Sequence, residues 1–353
     1  MAEAVPQFTP VTLVTGFLGS GKTTLLQRLL REPAFCDTAV LINEFGEIGL
    51  DHHLLERIDE TMVVLQSGCL CCTIRGELSA AIRDLHSRRE RGAVPPFRRL
   101  IIESTGLADP FPILSTVQAD PVLRHHFRLG NVITTVDAVN GMRQLDTQPE
   151  SVKQVAVADR LILTKTDLAA AETVSSLIER LRRINPTAPL RHGTGQNVDA
   201  GMLLSGDGVD GNSASRSSPA YLPPARHDDT HGGRSRHDDD IRAVAVTFDG
   251  PIDWTMFGIW LTMLLHRHGN AVLRVKGILN VAEAETPVAV HAVQHLVHPP
   301  KYLNAWPDSD RRSRLVFIVK GLSPAAIERS FKGFSVISTP THGAPRGELV
   351  AAR

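Results

Sequence analysis

The octapeptide GFLGSGKT at residues 16–23 constrains the fold of this chain more than any other feature. It matches the pattern G-x-x-x-x-G-K-[ST], and it lies between an apolar run at 11–15 and a stretch with helical character that begins at Lys22. In this context the glycines let backbone N–H groups surround phosphate oxygens, and the helix N-terminus adds a favourable dipole. The segment therefore predicts a P-loop, whose candidate nucleotide-binding residues are Gly16, Gly19, Ser20, Gly21, Lys22, Thr23 and Thr24.

Short runs of Val, Ile and Leu recur through the first 200 residues, and most are followed by a turn and a helical stretch. They lie at 11–15, 39–42, 62–65, 100–102, 132–136 and 161–163. Strands that are apolar on both faces and alternate with helices are typical of a mostly parallel sheet covered on both sides. The pattern predicts an α/β fold, with a P-loop nucleotide-binding domain over residues 1–200.

The composition changes sharply after this region. Residues 201–240 are rich in Gly, Ser, Asp and His and have little periodic apolar pattern, which predicts a flexible linker. Helices are then expected around Trp254 and after Pro324, and strands at 244–248, 271–275, 288–295 and 314–319. These elements predict a smaller C-terminal α+β domain over 241–338, followed by a tail at 339–353.

Composition excludes several other classes of protein. The 353 residues contain 38 Lys and Arg against 38 Asp and Glu, so there is no basic excess for sequence-independent nucleic-acid binding. The longest apolar stretch, at 258–265, is far shorter than the roughly 18 residues of a membrane-spanning helix. The 4 cysteines include three within four positions, a poor basis for disulfides. We expect a cytoplasmic protein that binds neither nucleic acid nor membrane.

Two further segments assign roles around a bound nucleotide. The run at 100–102 is followed by Glu103, an acid at a strand end where a P-loop protein holds Mg²⁺, and by Gly106, whose N–H suits the γ-phosphate. Lys22 would neutralise the β and γ oxygens, and the Thr23 hydroxyl would ligate Mg²⁺. These assignments predict a Mg²⁺-dependent hydrolase with Lys22, Thr23 and Glu103 in catalytic roles.

The segment TKTD at 164–167 follows another predicted strand and bears on the choice of base. The carboxylate of Asp167 can accept hydrogen bonds from N1–H and the exocyclic amine of guanine, whereas adenine leaves such a carboxylate unsatisfied. The stem of Lys165 can lie over the base. Thr164 stands where the usual signature has Asn. We therefore expect GTP rather than ATP as the nucleotide.

The motif C-x-C-C at Cys69, Cys71 and Cys72 follows the predicted strand at 62–65. Three thiolates can bind a soft or borderline cation such as Zn²⁺, and a missing fourth protein ligand favours an exchangeable site. Glu44 follows another strand end and is a candidate at the γ-phosphate, at the metal, or at both. The isolated Cys36 is expected in the core.

These motifs together resemble one family, the CobW-like P-loop GTPases, which are metallochaperones related to the urease and hydrogenase nickel-insertion GTPases. The resemblance rests on GFLGSGKTTLL at 16–26, NEFGEIGLD at 43–51, GCLCCTIRGEL at 68–78, ESTGLADP at 103–110, TKTD at 164–167, LRVKGIL at 273–279 and HAVQHLVHPP at 291–300. It spans both predicted domains, and the C-x-C-C loop is its most specific mark.

The resemblance implies a GTPase that binds zinc or a related metal and delivers it to a client metalloprotein, with a homodimer as a candidate assembly. By position, Cys69, Cys71 and Cys72 would hold the metal, with Glu44 as a candidate extra ligand. The same resemblance assigns the nucleotide to Lys22, Thr23, Glu103 and Asp167.

Three alternatives remain open from the sequence. The first is a relative that inserts cobalt or iron, for example in cobalamin synthesis. The second is a regulatory GTPase whose cysteines pack or sense redox state without delivering metal. The third, a small-molecule kinase, is disfavoured by the TKTD segment.

Overall fold

The computed structural model describes residues 8–44, 62–66, 73–193 and 241–337, and its first part is built on a parallel sheet. The strands of this sheet are Thr9–Gly16 (β1), Thr38–Glu44 (β2), Met62–Gln66 (β3), Arg99–Glu103 (β4), Phe127–Asp137 (β5), Arg160–Thr164 (β6) and Leu190–His192 (β7). Their order is β3-β2-β4-β1-β5-β6-β7, and every neighbouring pair is parallel. The predicted mostly parallel sheet is confirmed.

Helices cover both faces of this sheet. They are Lys22–Leu29 (α1), Thr73–Glu90 (α2), Pro110–Ala119 (α3), Pro121–His126 (α4), Gly141–Thr147 (α5), Pro149–Val157 (α6) and Ala171–Ile184 (α7). Successive strand residues point to opposite sides, so Leu13 of β1 packs in one core with Leu78 of α2 while Val14 packs in another with Leu25 of α1. Of the helices in the described residues, none has the length and apolar character needed to cross a membrane.

The C-terminal part forms a second, antiparallel sheet with two helices. Its elements are Ile241–Phe248 (β8), Trp254–His268 (α8), Val272–Leu279 (β9), Val288–Val293 (β10), Leu296–Val297 (β11), Lys301–Tyr302 (β12), Ser313–Lys320 (β13) and Pro324–Ile337 (α9). The order is β11-β10-β9-β13-β8, and β12 pairs with β10. Phe257, Trp260 and Phe317 lie in the buried core of this part. The predicted smaller α+β unit is confirmed.

The two sheets meet at the side of β6 where that strand begins. Leu273 of β9 and Ile318 of β13 join the apolar core that contains Leu161. Between them Arg274, which is 1% exposed, donates hydrogen bonds to the Val157 carbonyl and the Asp159 carboxylate. Burial strongly raises the pKa of Asp159, but the charge of Arg274, together with His291, Lys276 and the Val132 N–H, holds that pKa well below its ordinary value.

Two expectations from the sequence are wrong. The strand predicted over 288–295 ends at Val293, because Gln294 has a φ of 49° and starts the tight turn that leads into β11. His291 therefore lies in β10 while His295 lies beyond its end, and the His295 ring packs against that of Phe111, with ring centroids 5.9 Å apart. Cys36 is exposed rather than in the core, because it follows the short turn Pro33–Phe35, which buries only Phe35.

Candidate nucleotide and metal site

The P-loop connects β1 to α1, and its backbone passes close to β5. A Cβ atom at Gly16 would collide with the carbonyl oxygen and the hydroxyl of Thr135, so only glycine fits there. The Ser20 and Thr135 hydroxyls are hydrogen bonded at 2.6 Å and hold the loop against the strand. The sequence did not single out Thr135, because its contact depends on the register between β1 and β5.

Lys22 lies at the first position of α1, as the motif predicts, and its side chain turns back into the loop. Its Nζ donates to the carbonyl oxygens of Gly16 at 2.9 Å and of Phe17 at 3.2 Å. The side chain is largely buried, with the residue 8% exposed. The loop thus holds a positive charge within the backbone curve that suits phosphate oxygens.

Glu103 lies at the end of β4, beside Val14 of β1 in the parallel register. The Thr23 hydroxyl donates to Glu103 Oε1 at 2.6 Å, and Glu103 is 4% exposed. The structure therefore brings together the two side-chain oxygens that the sequence predicted as Mg²⁺ ligands. Hydroxyl and carboxylate oxygens are the ligand types that Mg²⁺ prefers, so this pair fits the cation chemically.

Thr164, at the end of β6, ties the base-side loop to the P-loop. Its hydroxyl donates to the Ser20 carbonyl at 2.8 Å and lies 3.2 Å from the Val136 carbonyl. Thr164, which stands where the usual signature has Asn, therefore provides a side chain that hydrogen bonds to the P-loop backbone.

Lys165 and Asp167 follow Thr164 on an exposed turn. Lys165 has a φ of 54°, and its Nζ donates to Asp137 Oδ2 at 2.8 Å. Burial raises the pKa of Asp137, but hydrogen bonds from Lys165 and Asn140 lower it below its ordinary value overall. Asp167 is exposed at the same sheet edge. The sequence did not single out Asp137, although an acid directly after the run at 132–136 was the available signal.

Gly106 follows β4 and lies against the P-loop. A Cβ at this position would come 2.7 Å from Leu18 Cα, so the two loops touch through their backbones. The P-loop, Glu103, Gly106 and the TKTD turn all lie at the carboxyl ends of neighbouring parallel strands. This is where ligands bind in open α/β sheets.

The proposed metal ligands lie mostly outside the described residues. Cys69, Cys71 and Cys72 fall in the gap between Gln66, where β3 ends, and Thr73, where α2 begins. Glu44 is described as the last residue of β2, opposite Gln66 in the parallel register, but its side chain is outside the description. Within the described segments there is no group of three or more His, Cys, Asp or Glu side chains suited to a metal ion.

The chain has a parallel sheet, a P-loop with an inward lysine, and a hydrogen bond from Thr23 of α1 to Glu103 at the end of the neighbouring strand β4. These features define a P-loop nucleotide-binding protein. Two family models match the chain. Residues 10–191 match the CobW/HypB/UreG nucleotide-binding domain, and residues 241–335 match the cobalamin synthesis protein cobW C-terminal domain. The chain therefore belongs to the CobW/HypB/UreG family, and its first domain is of the GTPase type found there.

The chain is similar to two proteins named as zinc chaperones. It is 34% identical to the zinc chaperone YjiA of Escherichia coli over 92% of this chain and 98% of that protein. It is 27% identical to the zinc chaperone CobW of a Sinorhizobium species over 88% and 92% of the two chains. The crystal structure of Zn(II)-bound YjiA GTPase from Escherichia coli matches with a TM-score of 0.66 and 30% identity, covering 93% of this chain and 99% of that one.

Proposed function

We propose that this chain is a GTP-hydrolysing metallochaperone that binds Zn²⁺ through Cys69, Cys71 and Cys72 and transfers it to a client metalloprotein. The observation that carries the proposal is a shared sheet edge. The Thr23–Glu103 pair lies at the end of β4, Glu44 ends the adjacent β2, and Gln66, the last described residue before the cysteine motif, ends β3 beyond it. Nucleotide and metal would therefore bind on the same side of one rigid sheet.

On this proposal the nucleotide site works chiefly by positioning and charge. Lys22 places its ammonium against the phosphates, and Gly106 offers its N–H to the γ-phosphate. Thr23 and Glu103 would hold Mg²⁺, which supplies neutralisation of the phosphate oxygens when bound. Because Glu103 lies within a buried strand end, its carboxylate is fixed in place before the nucleotide binds.

Guanine selection is assigned to the TKTD turn. The Asp167 carboxylate matches the paired donors on the guanine edge. The 2.8 Å bond from Lys165 to the buried Asp137 holds the ammonium away from the base and orients the aliphatic stem. That stem would then cover one face of the ring.

Zinc is favoured over cobalt or iron by the ligand set and by the relatives named as zinc chaperones. Three thiolates bind Zn²⁺ well, and a fourth position taken by Glu44, water or a client ligand would permit handover. Leu18 and Leu107 are exposed by 53% and 55% at this edge, which supports a client or a second copy of the chain as the partner there.

The proposal is tested by measuring bound zinc and nucleotide turnover on the purified chain. We expect about one Zn²⁺ per chain, loss of that ion in Cys71→Ser, and retention in Cys36→Ser, which removes an exposed thiol outside the motif. We also expect Mg²⁺-dependent turnover of GTP in preference to ATP. Equal zinc binding by Cys71→Ser and the wild type, or turnover of ATP alone, would contradict the proposal.

A further inference from the structure

A buried amide on α6 holds the loop that contains Gly106. Gln154 is 1% exposed, and its Nε2 donates to the carbonyl oxygens of Gly106 and Ala108, each at 3.1 Å. Two carbonyl partners fix which end of the amide is the nitrogen. The loop that approaches the γ-phosphate is therefore held from behind by a side chain outside every nucleotide-binding motif of this chain.

The contact is specific rather than a by-product of packing. The Oε1 atom of Gln154 has no hydrogen-bond partner among the described residues, so burying this amide carries an unpaired acceptor. A buried apolar side chain would avoid that cost, but it could not bond to the loop. The neighbouring Lys153 adds a second hold on the same loop, because its Nζ lies 3.2 Å from Asp109 Oδ2.

The same helix ends against the C-terminal domain. Arg274 of β9 donates to the Val157 carbonyl, three residues beyond Gln154 at the end of the helix, and to Asp159 just after it. Asn185 of the first domain bonds to the carbonyl oxygens of Val155, Ala156 and Ala158 and so fixes the rest of this helix end. Helix α6 is thus anchored at one end by two domains and contacts the Gly106 loop near its middle.

We propose that Gln154 is a positioning residue for the Gly106 loop, and that Arg274 acts on the same loop through α6. The inference rests on the proposed function, since it assumes that Gly106 approaches the γ-phosphate. A helix is rigid over one turn, so a shift of the Val157 end would move the Gln154 amide and with it the Gly106 carbonyl. The seating of the C-terminal domain would then bias GTP hydrolysis without touching the nucleotide.

Gln154→Met tests the first half because it keeps the length and volume of the side chain and removes its N–H groups. We expect kcat for GTP to fall about ten-fold, affinity for a non-hydrolysable GTP analogue to fall about ten-fold, and GDP affinity to stay unchanged. Gln144→Met, a buried glutamine on α5, is the matched control and should leave all three values unchanged.

The selectivity for the GTP analogue over GDP separates positioning from mere stabilisation, because a general loss of packing would weaken both nucleotides. Equal losses for both, or an unchanged kcat, would overturn the role of Gln154. A wild-type chain without GTP turnover would instead contradict the proposed function, while the ratio of analogue to GDP affinity would still test Gln154.

Arg274→Lys tests the second half, since a lysine keeps the charge beside Asp159 but lacks the fork that reaches two acceptors. We expect kcat to fall about three-fold to ten-fold in Arg274→Lys. In the double variant with Gln154→Met, the fall in kcat should be smaller than the product of the two single falls. The control is Arg312→Lys, because Arg312 forms an exposed ion pair with Asp310 in the same domain. Losses that multiply would show that Arg274 does not act through Gln154 and would overturn this half.

Discussion

The two sheets of this protein differ in where their polar groups lie. In the parallel sheet, polar groups collect at the carboxyl edge, where Lys22 donates to the P-loop backbone, Glu103 accepts from Thr23, and Thr164 donates to the Ser20 carbonyl. In the antiparallel sheet the interior is apolar, and its most buried charge, Arg274, reaches out to the other domain. The difference teaches that the candidate binding groups lie in one sheet, while the second sheet has an apolar core and contacts the first domain through the buried Arg274.

The strongest test of this contrast is to remove one lysine from each domain. Lys22→Ala should lower GTP turnover by roughly 10²-fold to 10³-fold, because the ammonium serves the phosphates, and should leave the fold intact. Lys301→Ala, in the exposed strand β12, should leave turnover unchanged. Steady-state GTPase assays with circular dichroism would check both. Undiminished turnover in Lys22→Ala would refute the P-loop assignment.

A smaller effect is expected at the base-side turn. Asp167→Asn should weaken GTP binding by about 10-fold to 100-fold and reduce the preference for GTP over ATP, because the amide cannot accept from both guanine donors. The control is Asp146→Asn, which removes a carboxylate from the exposed side of α5, away from the turn, and should leave the preference unchanged. Calorimetry with both nucleotides gives the measurement. An unchanged preference in Asp167→Asn would place guanine recognition elsewhere.

The ion pair between Arg274 and Asp159, which joins the two domains, should make the free energy of unfolding depend on pH in acid. Since the pKa of Asp159 is lower in the folded chain than in the unfolded chain, its pairing with Arg274 stabilises the fold above about pH 4 and loses that contribution as pH falls further. Between pH 5 and pH 3, the Arg274→Met/Asp159→Asn double variant should lose about 1 kcal/mol less free energy of unfolding than the wild type. Urea titrations at both values test this, and equal losses would contradict it.

The sequence was sufficient to predict features that depend on a short motif or on the order of strands and helices. The P-loop, the strand before it and Glu103 were predicted because a parallel sheet brings its carboxyl ends to one edge, so an acid after one strand lies beside a loop after the next. The fold class followed from the alternation of apolar strands and helices.

The remaining features depend on contacts between distant residues. Thr135 and Gln154 make their contacts through strand register and helix packing, for which the sequence has no periodic signal. The turn at Gln294 was missed because the strand pattern of the sequence continues through this residue. Its positive φ, which is uncommon for glutamine, ends the strand. The exposure of Cys36 follows from a short turn rather than from the character of the thiol.

We infer from the shared sheet edge a coupling in which the bound nucleotide, GTP or GDP, changes the Zn²⁺ affinity of the cysteine site. Its most direct test is a zinc competition titration of the wild type, Cys71→Ser and Cys36→Ser, each loaded with GDP and with a non-hydrolysable GTP analogue. The wild type and Cys36→Ser should bind Zn²⁺ with affinities that differ between nucleotide states by about 5-fold to 150-fold, and Cys71→Ser should bind it weakly in both. Identical zinc affinities in the two nucleotide states of the wild type would contradict the claim.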